Sequence, residues 1–226
     1  MTGIFDSGVG GMISLWRLRE LCPREDIIYL ADADNAPYGT KDKEEIQRLV
    51  RNNIDRLASL GAERVLVACC TASCVLPTLE ERYQLLSRSI IPPSADRAAM
   101  ASVNGRIGVI STDATAKFNA FAEEIKRKRE GASVYTIPLG RLVSLIERGC
   151  RDGHMTEECH SLLERVSWQL LSKGVDTLIL GCTHFSHVKG TIEQITGINV
   201  ISPAHIGAEM IAREIGDDGT GRTVYV

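Results

Sequence analysis

Residues 57–69 read LASLGAERVLVAC and residues 170–182 read LLSKGVDTLILGC. Leu, Ser, Gly, an acidic residue, a run of strand-forming positions and Cys recur at the same offsets in both. Each segment reads as the end of a helix, a glycine in its C-terminal turn, and a short buried parallel strand with a thiol at its far end. A second echo supports the first. GIFDSG at 3–8 and GVISTD at 108–113 are apolar runs that switch to Asp, Ser or Thr and lead into helical segments, at about 12–21 and 115–129. Further βα signals are DIIYLAD at 26–32 with a helix at about 42–59, and SVYTIPL at 133–139 with a helix at about 156–172. Strands alternating with helices predict parallel sheets covered by helices on both faces.

The pattern therefore predicts an α/β protein of two pseudosymmetric parallel-sheet domains facing an interdomain cleft. The expected first domain is 1–94 plus 204–226, and the second is 95–203. The join is expected near 88–105, where Pro92, Pro93, Asn104 and Gly105 cluster. A helix at about 205–215 and the strand-like RTVYV at 222–226 return to the first domain. Open α/β sheets build sites beyond the C-terminal ends of their strands. Cys69 and Cys182 are thus expected to enter one cleft from its two sides.

Composition sets the outer bounds. The chain has 226 residues, 44% hydrophobic and 24% charged, enough for one large α/β domain or two smaller ones. A net charge of −3 gives no basic surface, so neither nucleic acid nor an acidic membrane is an expected partner. No apolar run approaches the roughly 20 residues that span a bilayer, and Met1 leads directly into a strand-like segment; the expected location is cytoplasmic. Seven cysteines, an odd number, read as reduced thiols. A structural zinc is the alternative, but there is no CxxC, and His184 follows Cys182 at a spacing poor for two ligands on one strand face.

One thiol with a histidine and an acid suggests a nucleophile; two thiols on facing walls suggest matched acid–base chemistry. A thiolate can remove a proton from carbon on one face while a thiol returns one on the other, inverting the centre. An unperturbed Cys titrates near pH 8.5, within tuning range of neutrality. DSGVGG has a competing reading as an anion cradle, but Ile13 stands where a third dinucleotide-binding glycine belongs. Asp6 also reads as a helix N-cap, and His184 as a core histidine. His154, His160, His187 and His205 read as solvated or structural. Cys22, Cys150 and Cys159 read as packing residues, and Cys74 as buried on the helix after the first thiol.

DSGVGG at 6–11, PYGT at 37–40, Cys69–Ala72 and GCTH at 181–184 resemble the cofactor-independent glutamate racemases, in order and spacing over nearly the full chain. The resemblance implies an isomerase that binds D- or L-glutamate without pyridoxal phosphate or metal, leaves a homodimer open, and feeds D-glutamate to bacterial peptidoglycan. It assigns catalysis to Cys69 and Cys182, with Asp6 and Ser7 near the first thiol and His184 and Glu147 near the second. Pro37, Tyr38 and Gly39 match the loop that closes on substrate. Thr71 and Thr183 match hydroxyl donors to it, Cys70 occupies a substrate-facing position, and Thr112 and Thr115 are contacts from the second domain.

The chain departs from that family at defined positions. Cys70 replaces an asparagine, Phe185-Ser186 a Tyr-Pro pair, and Ser202-Pro203 an Asp-Ser pair. Ile90-Ile91-Pro92-Pro93 lacks an acidic residue, and the sequence stops at Val226 where relatives continue. Two other readings therefore stand beside a glutamate racemase: a racemase of the same fold for another amino acid, such as aspartate, and an inactive binding protein.

Overall fold

Each half of the chain closes a helix onto a strand with the same hydrogen bonds. After the helix Lys43–Ser59, Gly61 N–H reaches Ala58 O and Ala62 N–H reaches Leu57 O; after Glu157–Ser172, Gly174 N–H reaches Leu171 O and Val175 N–H reaches Leu170 O. Both glycines are left-handed, at φ +97° and +72°, the conformation this turn requires of its C-terminal residue. Here the computed structural model describes residues 1–150, 155–216 and 218–226, without the side chain of Cys150; His154 lies outside the described residues.

Among the described residues, nine strands form two wholly parallel sheets. They are β1 (Thr2–Asp6), β2 (Ile27–Ala31), β3 (Arg64–Val67), β4 (Ser87–Ser89), β5 (Arg106–Ser111), β6 (Ser133–Pro138), β7 (Thr177–Gly181), β8 (Asn199–Ile201) and β9 (Thr223–Tyr225). The first sheet runs β4-β3-β1-β2-β9 and the second β6-β5-β7-β8. Read from the opposite edge, the second is β8-β7-β5-β6, which repeats the first sheet without β9. The correspondence reaches single atoms. A β-carbon on Gly3 of β1 would stand 3.1 Å from Leu57 Cδ1, and one on Gly108 of β5 would stand 3.0 Å from Leu170 Cδ2. In each half a strand glycine lets the same helix leucine lie down on the sheet.

The helix Lys43–Ser59 shows how the sequence specifies a layer. Asp42 Oδ1 accepts from Glu45 N–H at 2.8 Å and caps it. Ile46, Leu49, Val50, Asn53, Ile54 and Leu57 recur at three- and four-residue spacing and form its buried face. One core cluster lies wholly in the second half, one lies in the first half with Ala114 of the second joined to it, and a third runs fully across both. It joins Ile4 and Leu66 of the first sheet to Ile107, Val109 and Ile179 of the second through Ile91, Ala95 and Ala98.

Those last residues belong to a helix, Ile91–Ala101, in the stretch at 88–105 where the join was expected, and the expected 94/95 division falls inside it. Pro92 and Pro93 occupy its first turn, where a missing N–H and a fixed φ cost nothing. The helix expected at 115–129 is broken: Asp113–Phe118 and Ala120–Lys128 meet at Asn119, which is left-handed at φ 57°. Strand β9 does return to the first sheet, beside β2. Among the described residues, no helix is long and apolar enough to cross a membrane.

Candidate active site

Parallel strands deliver the chemistry to one edge. Asp6 ends β1, Cys69 follows β3, Thr112 follows β5 and Cys182 follows β7. These C-terminal ends border a cavity of ≈ 480 Å³ lined by residues of both halves. Cys69, Cys70 and Cys182 all line it as free thiols.

Cys69 caps the short helix Cys70–Val75, its Sγ accepting from Ala72 N–H at 3.5 Å, and Ser7 Oγ lies 3.3 Å from the same sulfur. Burial, reinforced by the charge of Asp6, pushes the Cys69 thiol up to about 11. Cys182 begins a 3-10 turn, Thr183–Val188, that brings His184 back beside it: Nδ1 stands 3.9 Å from Cys182 Sγ. Burial raises the Cys182 thiol as well. On the far side of the ring, His184 Nε2 is 3.1 Å from Glu147 Oε1, an ion-pair distance without the alignment of a hydrogen bond.

Asp6 is fully buried and does not line the cavity. Its Oδ1 accepts from Gly8 N–H at 2.9 Å and its Oδ2 from Thr183 Oγ1 at 3.2 Å, so it ties the first half to the turn that carries the second thiol. Desolvation raises its pKa against the opposing charge of His184. The glycines of DSGVGG explain themselves here. A β-carbon on Gly11 would stand 2.5 Å from Asp6 Cβ, and one on Gly10 2.4 Å from Thr183 Oγ1, so the loop is glycine-rich because it lies against the site.

Three hydroxyls join the halves elsewhere. Thr71 Oγ1 lies 3.0 Å from Thr112 Oγ1 and 2.9 Å from Thr115 Oγ1, and Thr112 Oγ1 donates to Thr115 Oγ1 at 2.9 Å. Thr115 stands behind the other two, outside the lining. Ser7, Pro37, Tyr38, Gly39, Cys70, Thr71, Thr112, Glu147, Thr183 and His184 all line the cavity with the two thiols. Tyr38, expected on a closing loop, is 1% exposed, its ring packed on Phe5 and its hydroxyl bonded to Asp32. Among the described residues, no Lys or Arg lines the cavity.

Sequence reasoning missed Asp113, Val143 and Ser144, which also line it. Val143 and Ser144 sit four and three residues before Glu147 on the helix Arg141–Cys150, and that spacing alone would have found them.

A sequence profile of the Asp/Glu/Hydantoin racemase family matches residues 17–211. The chain belongs to that family. It is 37% identical to the glutamate racemase of Persephonella marina over 228 residues, which covers 99% of this chain and 86% of that one. The RacE1 glutamate racemase of Bacillus anthracis superposes with a TM-score of 0.89 at 27% identity, covering 100% of this chain and 86% of that one. The Francisella tularensis glutamate racemase, solved with D-glutamate, gives 0.84 at 29%, covering 99% and 86%. As a member of this family the chain is an isomerase of the amino-acid racemase type, and its two parallel-sheet domains are those of the solved glutamate racemases.

The cavity lining shows which of the positions noted in the sequence as departures touch the site. Ser186 Oγ lies 2.7 Å from Ser202 Oγ, so two departures are each other's partners. Phe185, Ile90 and Ile91 are buried in the cores. Of these residues Cys70 alone lines the cavity.

Proposed function

We propose that this chain is a glutamate racemase that uses Cys69 and Cys182 as a matched acid–base pair. The observation that carries the reading is two thiols at the ends of equivalent strands, both lining one cavity and each with its own polar attendants. One thiolate takes the α-proton from its face, and the thiol on the other wall donates to the opposite face of the carbanion. The resemblance assigns Cys69 to the D-enantiomer and Cys182 to the L-enantiomer. Asp6 and Ser7 serve the first wall, and His184 with Glu147 orients the second. Hydroxyls of Ser7, Thr71, Thr112 and Thr183 supply neutral donors for the substrate's carboxylates where no Lys or Arg among the described residues lines the cavity. The substrate's own ammonium group favours thiolate formation in a buried site that otherwise disfavours it. In this reading the enzyme works in the cytoplasm, needs no cofactor, and supplies D-glutamate to peptidoglycan synthesis.

Circular dichroism of L-glutamate incubated with purified protein tests it: the signal should decay to zero with incorporation of solvent deuterium at Cα. Replacement of either Cys69 or Cys182 by Ser should abolish that decay, because a hydroxyl is a far weaker base near neutral pH. Wild-type racemisation by either variant would end the two-thiol account. Cys70 in the lining favours one second reading, a racemase for another amino acid. A panel of amino acids decides it, since glutamate would then be racemised poorly and another substrate well.

A further inference from the structure

The cavity wall at 36–40 is an unusual one to find fixed. Ala36, Pro37 and Thr40 are exposed, and the segment contributes only a 3-10 turn, Tyr38–Thr40. What holds it lies behind it. Tyr38 inserts into the core of the first half, and its hydroxyl donates to Asp32 Oδ2. Asn53 Nδ2 lies 3.0 Å from Asp32 Oδ2 and 3.0 Å from Tyr38 Oη. The amide can thus offer one hydrogen to each. Burial and the neighbouring Asp32 raise the Tyr38 phenol, which keeps it a donor. Asp32 is itself fixed twice: its Oδ1 accepts from Asn35 Nδ2 at 2.8 Å, and its N–H donates to the carbonyl of Asp6 at 3.0 Å.

Asn53 belongs to the helix Lys43–Ser59, which gives no residue to the cavity lining. On that helix's buried face it is a polar residue among Ile46, Leu49, Val50, Ile54 and Leu57, and it is 7% exposed. A buried amide in such company is costly unless both its hydrogens are used, and here a wall of the site uses them. In front of the knot, Gly39 is pressed against the second half: a β-carbon there would stand 2.8 Å from Thr112 Cβ.

We propose that Asn53 is a positioning residue: with Asp32 it pins the Tyr38 hydroxyl and so holds the 36–40 wall against Thr112, making this side of the cavity a preset wall instead of a mobile lid. The kinetic consequence rests on the cavity being the amino-acid site; the mechanical one does not. Hydrogen–deuterium exchange without substrate separates them. Asn53→Leu and Tyr38→Phe should each speed exchange of amides 33–41 several-fold, with β1 and β3 amides unchanged. With L-glutamate, each should raise KM roughly 10-fold, the loss expected for a hydrogen bond to a charged partner, while kcat falls less. The double variant should be no worse than the poorer single one, because both remove the same knot. Unchanged exchange at 33–41, or kinetic losses that multiply, would overturn the proposal. If Asn53→Leu fails to fold, Tyr38→Phe, which keeps the ring, decides by the same two measurements. A wild-type protein that racemises no glutamate would sink the proposed function, and the exchange result would still decide the role of Asn53.

Discussion

A methyl group is enough to test the second wall. Gly10→Ala would set its β-carbon 2.4 Å from Thr183 Oγ1 and 2.7 Å from His184 Nδ1, and so must displace the turn that carries Cys182. It is expected to lower kcat/KM by at least roughly tenfold, as small misplacements at a reacting centre do; unaltered kinetics in a folded variant would show that the wall yields freely. Cys70 invites the opposite experiment. An amide in its place can donate and accept strong hydrogen bonds where a thiol does neither well. One such bond to a charged group is worth about 1.5–3 kcal/mol, so Cys70→Asn should raise kcat/KM for glutamate several-fold or more. A flat or lower value, with another amino acid racemised well, would favour the second reading. Cys69 predicts a pH profile. Its thiol is pushed up to about 11, and the base form is the deprotonated one, so kcat/KM should climb between pH 7 and 9. A profile already level at pH 7 would remove Cys69 as the base of the free enzyme.

At the level of elements, the duplicated helix–glycine–strand turn is where the sequence was most transparent. Gly61 has nothing within 4 Å of a β-carbon, so Gly61→Ala tests backbone conformation alone. At φ +97° the substitution should cost about 1–2 kcal/mol of stability and leave kcat unchanged, because the turn lies at the opposite end of β3 from Cys69. Denaturant melts and racemase assays on one preparation would check both halves of that statement. Seven of the nine strands described were legible because buried parallel strands are short apolar runs with distinctive ends. The other two, β4 and β8, are three-residue strands at the sheet edges and were too short to read, and the order within each sheet was not legible either. Two further features were not legible. Pro92 and Pro93 look like a linker until a helix follows them, since proline stops a helix and also starts one. The break at Asn119 leaves no trace in periodicity, because asparagine enters the left-handed region without a glycine to mark it. The lining of the candidate cavity was legible where it follows strand ends or the family motifs, as at Cys69 and Cys182. It was overlooked where a helix face arrives from elsewhere, as at Val143 and Ser144, whose spacing from Glu147 was the one signal present. The function of Asn53 depends on a partner 15 residues away in sequence, and no local pattern announces it.

Across the whole molecule, the buried thiols couple stability to pH. Cys69, Cys70 and Cys182 are all raised by burial above the value near 8.5 that an unfolded chain gives them. The folded state therefore holds more protons than the unfolded one in the alkaline range. The stability these neutral thiols contribute is full below about pH 8.5 and is lost as pH rises through the folded values, about 11 for Cys69. The slope is about 1.4 kcal/mol per pH unit for each thiol caught between its two pKa values. Melts from pH 7.5 to 10 under reducing conditions should show that decline, and a level midpoint would mean the thiols are better solvated than the structure has them. The unlike walls have a further consequence. Cys69 has Ser7 and a helix N–H beside it, whereas Cys182 has His184, backed on its far side by Glu147. Mirror-image forms of a free amino acid have the same free energy, so detailed balance forces kcat/KM to be identical for the two hands, in the wild type and in every variant. A lesion confined to one wall, such as His184→Asn, must slow both directions by a single factor. The difference between the walls is visible only at saturation, where kcat and KM are free to part company while their ratio is not.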